Sequence, residues 1–174
     1  MKKHLETIIA LLTMAGSMVS LTIFANLAGL QPPTYPAIEY VVALLSLGAA
    51  MLAWEWTRKS RTALRRRFIV VCALLSVIGL LAYLFLYSLY VEPIPGTDER
   101  IVRGYRCTAE ALLVYGASCP DLPTGALADA QWDTRRLWTR GSVTVIEFSL
   151  VVGWFFFMAG FIAALGSIVA GRKG

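Results

Sequence analysis

Two cysteines, Cys107 and Cys119, have the spacing that a short covalent staple requires. They bracket a stretch rich in alanine and leucine, which predicts about two helical turns with Glu110 near the start and Gly116 as the stop. In an oxidising compartment such cysteines pair, and closing a loop of this size stabilises a fold by about 3 kcal/mol. We therefore predict a disulfide between them. The third cysteine, Cys72, lies in a separate apolar run and is predicted to be inert packing.

Two carboxylates, Glu39 and Glu147, lie inside apolar runs of the sequence. An ionisable group at membrane depth is costly and often marks an ion or proton pathway. Each glutamate is within a few residues of the end of its run. The same positions therefore also suit a carboxylate at the membrane surface that pairs with an arginine such as Arg140. The sequence leaves both interpretations open.

Other catalytic signals are missing from the sequence. Its one histidine, His4, lies in the N-terminal tail and leaves no pair of histidine ligands for a metal. The sequence also has no C-x-x-C motif and no glycine-rich phosphate loop. We therefore predict a protein that is not an enzyme, with no catalytic residues, no bound metal and no cofactor.

A basic run separates two long apolar stretches and sets the orientation of the chain. Lysines and arginines that flank apolar helices stay on the cytoplasmic side of a membrane, so residues 57–67 are predicted to form a cytoplasmic loop. The cations are more numerous than orientation requires. The surplus predicts binding either to anionic lipids or to an acidic surface on a cytoplasmic protein. The six cations are Arg58, Lys59, Arg61, Arg65, Arg66 and Arg67.

The composition indicates that the chain belongs in a membrane. Of its 174 residues, 57% are hydrophobic and 16% are charged, whereas charged residues make up about a quarter of a soluble domain. The formal net charge of +5 is explained by positions that flank apolar runs, so we predict no nucleic-acid partner. The predicted fold class is an all-α integral membrane protein, a single domain in which four transmembrane helices form an antiparallel bundle. The spans are expected at about 8–30, 37–56, 68–91 and 143–170.

The topology follows from the basic run. With residues 57–67 inside, both chain ends face the cytoplasm and residues 92–142 form an outer loop. The apolar run 8–30 follows a basic start, as in a signal peptide. It is longer than the roughly 7–15 residues of a signal-peptide core, so we expect a retained helix. The compact layout with short basic termini favours the bacterial inner membrane.

The outer loop is expected to be partly folded. Pro93 is expected to break the third helix, and residues 101–105 predict a short extended segment. A further helix is predicted from Thr124 to about Trp138, with Trp132 and Trp138 as apolar anchors. We expect it to rest on the outer membrane boundary as an amphipathic helix, and a partner-binding surface is the alternative.

Small residues recur at helical spacing in the first and fourth apolar runs. Such faces let helix backbones approach closely in lipid. The sequence leaves open whether they pack within one chain or between the subunits of a homo-oligomer. The residues are Thr13, Gly16, Ser17 and Ser20 in the first run and Gly160, Ala163, Ala164, Ser167 and Gly171 in the fourth.

The layout is similar to that of two known families. Its size, orientation and outer cysteine pair resemble the four-span bacterial quinone-linked thiol oxidoreductases. The C-x-x-C of that family's first outer loop is replaced here by Gln-Pro-Pro-Thr-Tyr-Pro at residues 31–36. The short first loop and long second loop also resemble tetraspanins, but their Cys-Cys-Gly signature is absent from this sequence. The resemblances therefore carry no function over to this chain.

Three functional hypotheses follow. The first is an oligomeric anchor or sensor subunit of a membrane complex, such as a bacterial defence or toxin module, whose basic face recruits a cytoplasmic protein. The second is an ion channel or small transporter built around Glu39 and Glu147. The third is a thiol-redox membrane protein that uses Cys107 and Cys119.

Overall fold

The structure is a computed structural model that describes residues 38–59, 62–97 and 99–171, and this part of the chain is mostly helical. The predicted first span at 8–30 lies outside the described residues. The long helices are α1 (Ile38–Lys59), α2 (Thr62–Tyr90) and α6 (Arg140–Gly171). The short elements between α2 and α6 are β1 (Val91–Pro93), β2 (Arg100–Val102), α3 (Ala109–Tyr115), α4 (Thr124–Asp129) and α5 (Thr134–Leu137).

Two of the described helices are long and apolar enough to cross a membrane. They are Thr62–Tyr90 and Arg140–Ile168, and they cover the predicted third and fourth spans. In the most apolar stretch of the first, 22% of the residues are buried, against 50% in the second. α1 covers the predicted second span, and the insertion of that span into a membrane stays a prediction.

The chain divides into two compact units, which are described separately. Of the described residues, those within 38–81 and 153–171 form the helix unit, and those within 82–152 form the cap unit. Each unit has its own buried side chains.

Two buried glycines bring α2 and α6 into backbone contact within the helix unit. A Cβ atom at Gly79 would lie 2.7 Å from the amide nitrogen of Phe157, and one at Gly160 would lie 2.7 Å from the carbonyl oxygen of Cys72. The Ser76 hydroxyl also donates to the Phe157 carbonyl at 3.1 Å. The two helices therefore pack along a seam where no larger side chain fits.

α1 joins the same unit through small and hydroxyl side chains. The hydroxyl oxygens of Thr57 and Ser167 lie 3.1 Å apart, and the Thr57 hydroxyl also donates to the Ala53 carbonyl. Four small buried residues form a cluster against which Phe68 packs. These are Ala53, Cys72, Ala163 and Ala164. The small face predicted on the fourth run is thus used within the chain, at least from position 160 to 167, while the small residues of the first run lie outside the described residues.

The basic run is largely helical where a loop was predicted. α1 continues to Lys59 and α2 begins at Thr62, so the predicted loop 57–67 is wrong over most of its length. The physical reason is local: residues 57–67 contain no proline or glycine, and arginine, lysine, alanine and leucine all favour helix. Ser60 and Arg61 lie outside the described residues.

A two-stranded hairpin opens the cap unit directly after α2. β1 and β2 pair antiparallel, with Val91 opposite Val102 and Pro93 opposite Arg100. The predicted helix break at Pro93 and the predicted extended segment are therefore both seen, although the second strand is Arg100–Val102 rather than 101–105. Pro93 lies at the end of its strand, where a missing amide donor costs little.

The continuous helix predicted over 124–138 is wrong. α4 ends at Asp129, and Gln131 and Trp132 then take left-handed backbone angles, with φ of 55° and 60°. The Trp132 amide donates to the Leu127 carbonyl at 2.9 Å. This hydrogen bond ends the helix with left-handed residues, at a position that glycine usually occupies. The chain restarts as the short α5, so no long amphipathic helix exists here to rest on a membrane.

Candidate functional site

The predicted disulfide between Cys107 and Cys119 is confirmed. The two Cα atoms are 6.4 Å apart, within the usual range for a bridged pair. The loop that the bridge closes contains α3 and a 3₁₀ turn at Gly116–Ser118. Thr108 caps α3, since its side-chain oxygen accepts from the Ala111 amide at 3.2 Å. Cys72 is a buried free thiol in the helix unit, as expected.

Backbone hydrogen bonds attach this loop to the residues that lead into α6. The Thr108 amide donates to the Leu137 carbonyl at 2.9 Å, and the Thr139 amide donates to the Arg106 carbonyl at 2.8 Å. The Ser142 hydroxyl, in the first turn of α6, lies 3.2 Å from the same Arg106 carbonyl. The base of the disulfide loop is therefore held at the N-terminal start of a candidate spanning helix.

Trp138 forms the core of the cap and is not a membrane anchor. Its side chain is completely buried, and its indole nitrogen donates to the Pro120 carbonyl at 3.2 Å. A Cβ atom at Gly104 would lie 2.7 Å from the Cβ of Trp138, so the glycine is required for the tryptophan to pack there. The prediction of Trp138 as an interfacial anchor is wrong because its apolar surface is buried inside the cap.

A polar cluster that the sequence did not reveal ties the hairpin to α2. Arg103 donates from Nε and Nη2 to one carboxylate oxygen of Glu92, at 2.7 and 2.6 Å. Arg100 donates to the Tyr87 hydroxyl, and its guanidinium lies 5.7 Å from the centre of the same ring. Tyr83 is fully buried beside it. The sequence contains the opposite charges of Glu92 and Arg103, but their pairing can be predicted only when the register of the hairpin is known.

The two glutamates predicted as a pathway stand differently. Glu147 lies on α6, is half-buried, and interacts electrostatically with Arg135. Within the described part of the chain it makes no ion pair with Arg140 or any other residue, whereas Arg136 pairs with Asp133 at 3.6 Å. The side chain of Glu39 lies outside the described residues, so a pathway that uses both glutamates stays a prediction.

The basic run is seen in part. Arg65 is half-buried, and Arg66 and Arg67 are exposed at the start of α2. The side chains of Arg58 and Lys59, and the whole of Arg61, lie outside the described residues. No acidic residue lies in the first turn of α2. Among the described residues, no salt bridge is formed by Arg65, Arg66 or Arg67.

No protein-family model matches the chain, and no curated protein and no solved structure is similar to it. Among the described residues, no group of three or more His, Cys, Asp or Glu side chains is arranged to hold a metal ion. The function must therefore be inferred from the two sites above: the disulfide-closed cap and the arginines at the start of α2.

Proposed function

We propose that this chain is a non-enzymatic, four-helix protein of the bacterial inner membrane, which acts as an oligomeric anchor or sensor subunit and recruits a cytoplasmic protein through its basic run. One observation carries the proposal. α2 is an apolar helix that is mostly exposed, and three adjacent arginines lie near its start.

The exposure of α2 supports placement in lipid. A buried core helix of a soluble protein would be covered by other side chains, but most of α2 is not. Exposed apolar surface of this extent on a soluble protein would promote association, whereas lipid covers it without cost. The exposed large side chains are Leu64, Val70, Val71, Leu74, Leu75, Val77, Ile78, Leu81, Phe85 and Leu89.

The arginines at the start of α2 gain nothing from their own helix. The N-terminal end of a helix carries a partial positive charge, which favours acidic side chains and disfavours cations. Arg65, Arg66 and Arg67 are the fourth to sixth residues of α2, close to this end, and the described residues supply them no salt bridge. An anionic group outside the chain, either a lipid headgroup or a protein carboxylate, is the binding partner that this arrangement suits.

Assembly into an oligomer must use surfaces other than the seam between α2 and α6. In that seam, Gly79, Gly160 and the small residues near them are already packed within the chain. The small face of the predicted first span, which includes Gly16 and Ser20, is the remaining candidate for contact between subunits or with another membrane protein.

The test replaces Arg65, Arg66 and Arg67 together with lysine. Charge is kept, so attraction to anionic lipid and membrane orientation should survive, but lysine cannot make the paired hydrogen bonds that arginine makes with a carboxylate. We expect a protein cross-linked to the tagged wild type in cells to be lost from the triple variant. The matched control is Arg135→Lys with Arg136→Lys, which makes the same chemical change in the cap and should keep the partner.

Two results would contradict the proposal. Undiminished recovery of the partner by the triple-lysine variant would leave lipid binding as the role of the arginines. Recovery of no partner by the wild type would remove the recruiting role altogether.

One observation favours a second function, an ion channel or small transporter. Glu147 is half-buried on a candidate spanning helix without an ion pair among the described residues. On that hypothesis Glu147→Gln, which keeps shape and removes charge, changes ion or proton flux in liposomes while assembly is unchanged. Equal flux from variant and wild type, or none from either, would count against it. The thiol-redox hypothesis has no such support, because Cys107 is buried and Cys72 lies in the other unit.

A further inference from the structure

The tip of the disulfide loop exposes apolar side chains in the cap unit. In α3, the exposed fractions are 50% for Leu112, 88% for Leu113 and 71% for Val114. Ala111, one position earlier, is 3% exposed and faces the cap interior, where α3 packs against α5. Successive helical residues are separated by about 100°, so three adjacent exposed positions leave most of the last turn of α3 apolar and uncovered.

The base of the disulfide loop is bonded to the residues that lead into α6, and the tip is one short helix away from that base. α3 starts one residue after Thr108, whose amide bonds to Leu137, and α6 starts at Arg140. Helix rise is about 1.5 Å per residue, so Leu113 is only about 6 Å along α3 from its start. The headgroup region of a bilayer is about 5–7 Å thick on each side of the hydrocarbon, so the tip lies within reach of it if α6 spans the membrane.

The charge pattern of the cap also singles out this loop. Between Cys107 and Cys119 the only charged residue is Glu110, in the first turn of α3. The chain on either side of the loop is rich in charge. Tyrosines flank the tip, with Tyr105 exposed and Tyr115 half-buried, and tyrosine is enriched where protein meets headgroups. The flanking charges are Glu92, Asp98, Glu99, Arg100, Arg103 and Arg106 before the loop and Asp121, Asp129, Asp133, Arg135, Arg136 and Arg140 after it.

We infer that the end of α3 inserts into the outer leaflet of the membrane, with Leu112, Leu113 and Val114 among the upper acyl chains and Glu110 in water. The disulfide loop is then a lipid anchor that fixes the cap against the bilayer surface. The inference rests on the proposed membrane placement, since a cap with no bilayer beside it has no lipid to bind. The sequence predicted membrane contact at 124–138, and this inference assigns that role to α3 instead.

The test incorporates the photoreactive residue p-benzoylphenylalanine in the full-length protein, in nanodiscs of phosphatidylethanolamine and phosphatidylglycerol. Leu113→p-benzoylphenylalanine probes the tip. Val77, exposed on α2, is the control for membrane spanning, and Asp129, exposed at the end of α4, is the control for an aqueous position in the same cap. After irradiation, intact-mass measurement detects a lipid adduct and gel electrophoresis detects a cross-linked dimer. Protection of Cys107 and Cys119 from alkylation shows that each variant has kept its cap.

The expected result is a lipid adduct from positions 113 and 77 and none from 129. An adduct at 77 without one at 113 overturns the lipid anchor and leaves membrane spanning intact. Adducts at neither position overturn the membrane placement as well. A dimer formed through position 113 in place of a lipid adduct also overturns the inference, because the tip would then bind a second copy of the chain.

Discussion

Gly104 is a position at which the cap has no space for a side chain. It follows the Arg103 that pairs with Glu92, and its Cα faces the Trp138 side chain and the Ser142 hydroxyl. A methyl group at position 104 would overlap the side chain of Trp138, which forms the core of the cap. The glycine therefore lets Trp138 and Ser142, which are distant in the sequence, pack closely against the backbone.

We predict that Gly104→Ala lowers the stability of the cap by about 1–3 kcal/mol, the usual cost of overpacking a filled core. The measurement is the midpoint of thermal unfolding of the purified protein in detergent. Gly125→Ala is the matched control, because a Cβ at Gly125 meets no atom within 4 Å and alanine favours the helix there. Equal midpoints for the two variants would mean that Trp138 does not pack as described.

The disulfide loop is the element that gives the cap its covalent closure. It joins Cys107, which pairs with Trp138 across a β-bridge, to Cys119, which precedes Pro120 through a cis peptide bond. Because Pro120 accepts the hydrogen bond of the Trp138 indole, the loop connects both sides of the cap core.

Replacement of Cys107 and Cys119 by alanine should destabilise the cap by about 3 kcal/mol on the chain-entropy estimate for a loop of this size. We expect faster proteolysis between residues 92 and 139, with α2 and α6 retained. Cys72→Ala, which removes a thiol but no bridge, should be cut at the wild-type rate. When unreduced wild-type protein is alkylated, mass measurement should find Cys107 and Cys119 unmodified. Alkylation of either cysteine would disprove the disulfide.

The seam between α2 and α6 is the element on which the helix unit depends. Gly79 and Gly160 allow the two backbones to touch, and Ser76 adds a hydrogen bond across the seam. In lipid, where burying apolar surface gives no advantage over lipid contact, close packing and such bonds drive association.

We predict that Gly79→Ala and Gly160→Ala each lower the thermal midpoint in detergent, by an amount equivalent to about 1–3 kcal/mol, since each new Cβ would overlap backbone atoms. Gly48→Ala on α1 is the control: a Cβ there has open space, so helix propensity should make it neutral or stabilising by up to about 1 kcal/mol. If all three substitutions stabilise alike, the helices do not meet at these glycines.

At the scale of the whole molecule, the proposal places the basic run and the cap on opposite sides of a membrane. The arginines at the start of α2 and the disulfide favour this separation independently, because cations are retained in the cytoplasm and disulfides persist in oxidising compartments. Each signal by itself would orient the chain in the same way.

The orientation can be tested with introduced cysteines and a membrane-impermeant maleimide on intact bacterial cells. We expect Asp129→Cys to be labelled from outside, and Arg66→Cys to be labelled only after the cells are permeabilised, since both positions are exposed. The wild type is the control and should stay unlabelled, because Cys72 is buried and the other cysteines are bridged. Labelling of both positions from the same side, or in the reverse order, would contradict the topology.

Local signals in the sequence were sufficient for several parts of the structure. Long apolar runs predicted α2 and α6, the spacing of Cys107 and Cys119 predicted the bridge, and Gly116 marked the end of α3. These features depend on residues close together in the chain, where composition and turn chemistry act directly. The basic run is mostly helical because arginine, lysine, alanine and leucine favour helix, whichever side of a membrane their charges face.

Other features depend on contacts between distant residues, and only the tertiary structure decided them. Trp138 could have been an interfacial anchor or a core residue, and the choice depends on Gly104 and Pro120, which no local pattern connects to it. The small face of the fourth run suits a second subunit equally well by its sequence, and only the contact of Gly160 with α2 shows that it packs within the chain. The sequence alone thus determined which segments are apolar, basic or stapled, whereas the fold decided which of their surfaces are used internally, because packing depends on what each residue meets across the chain.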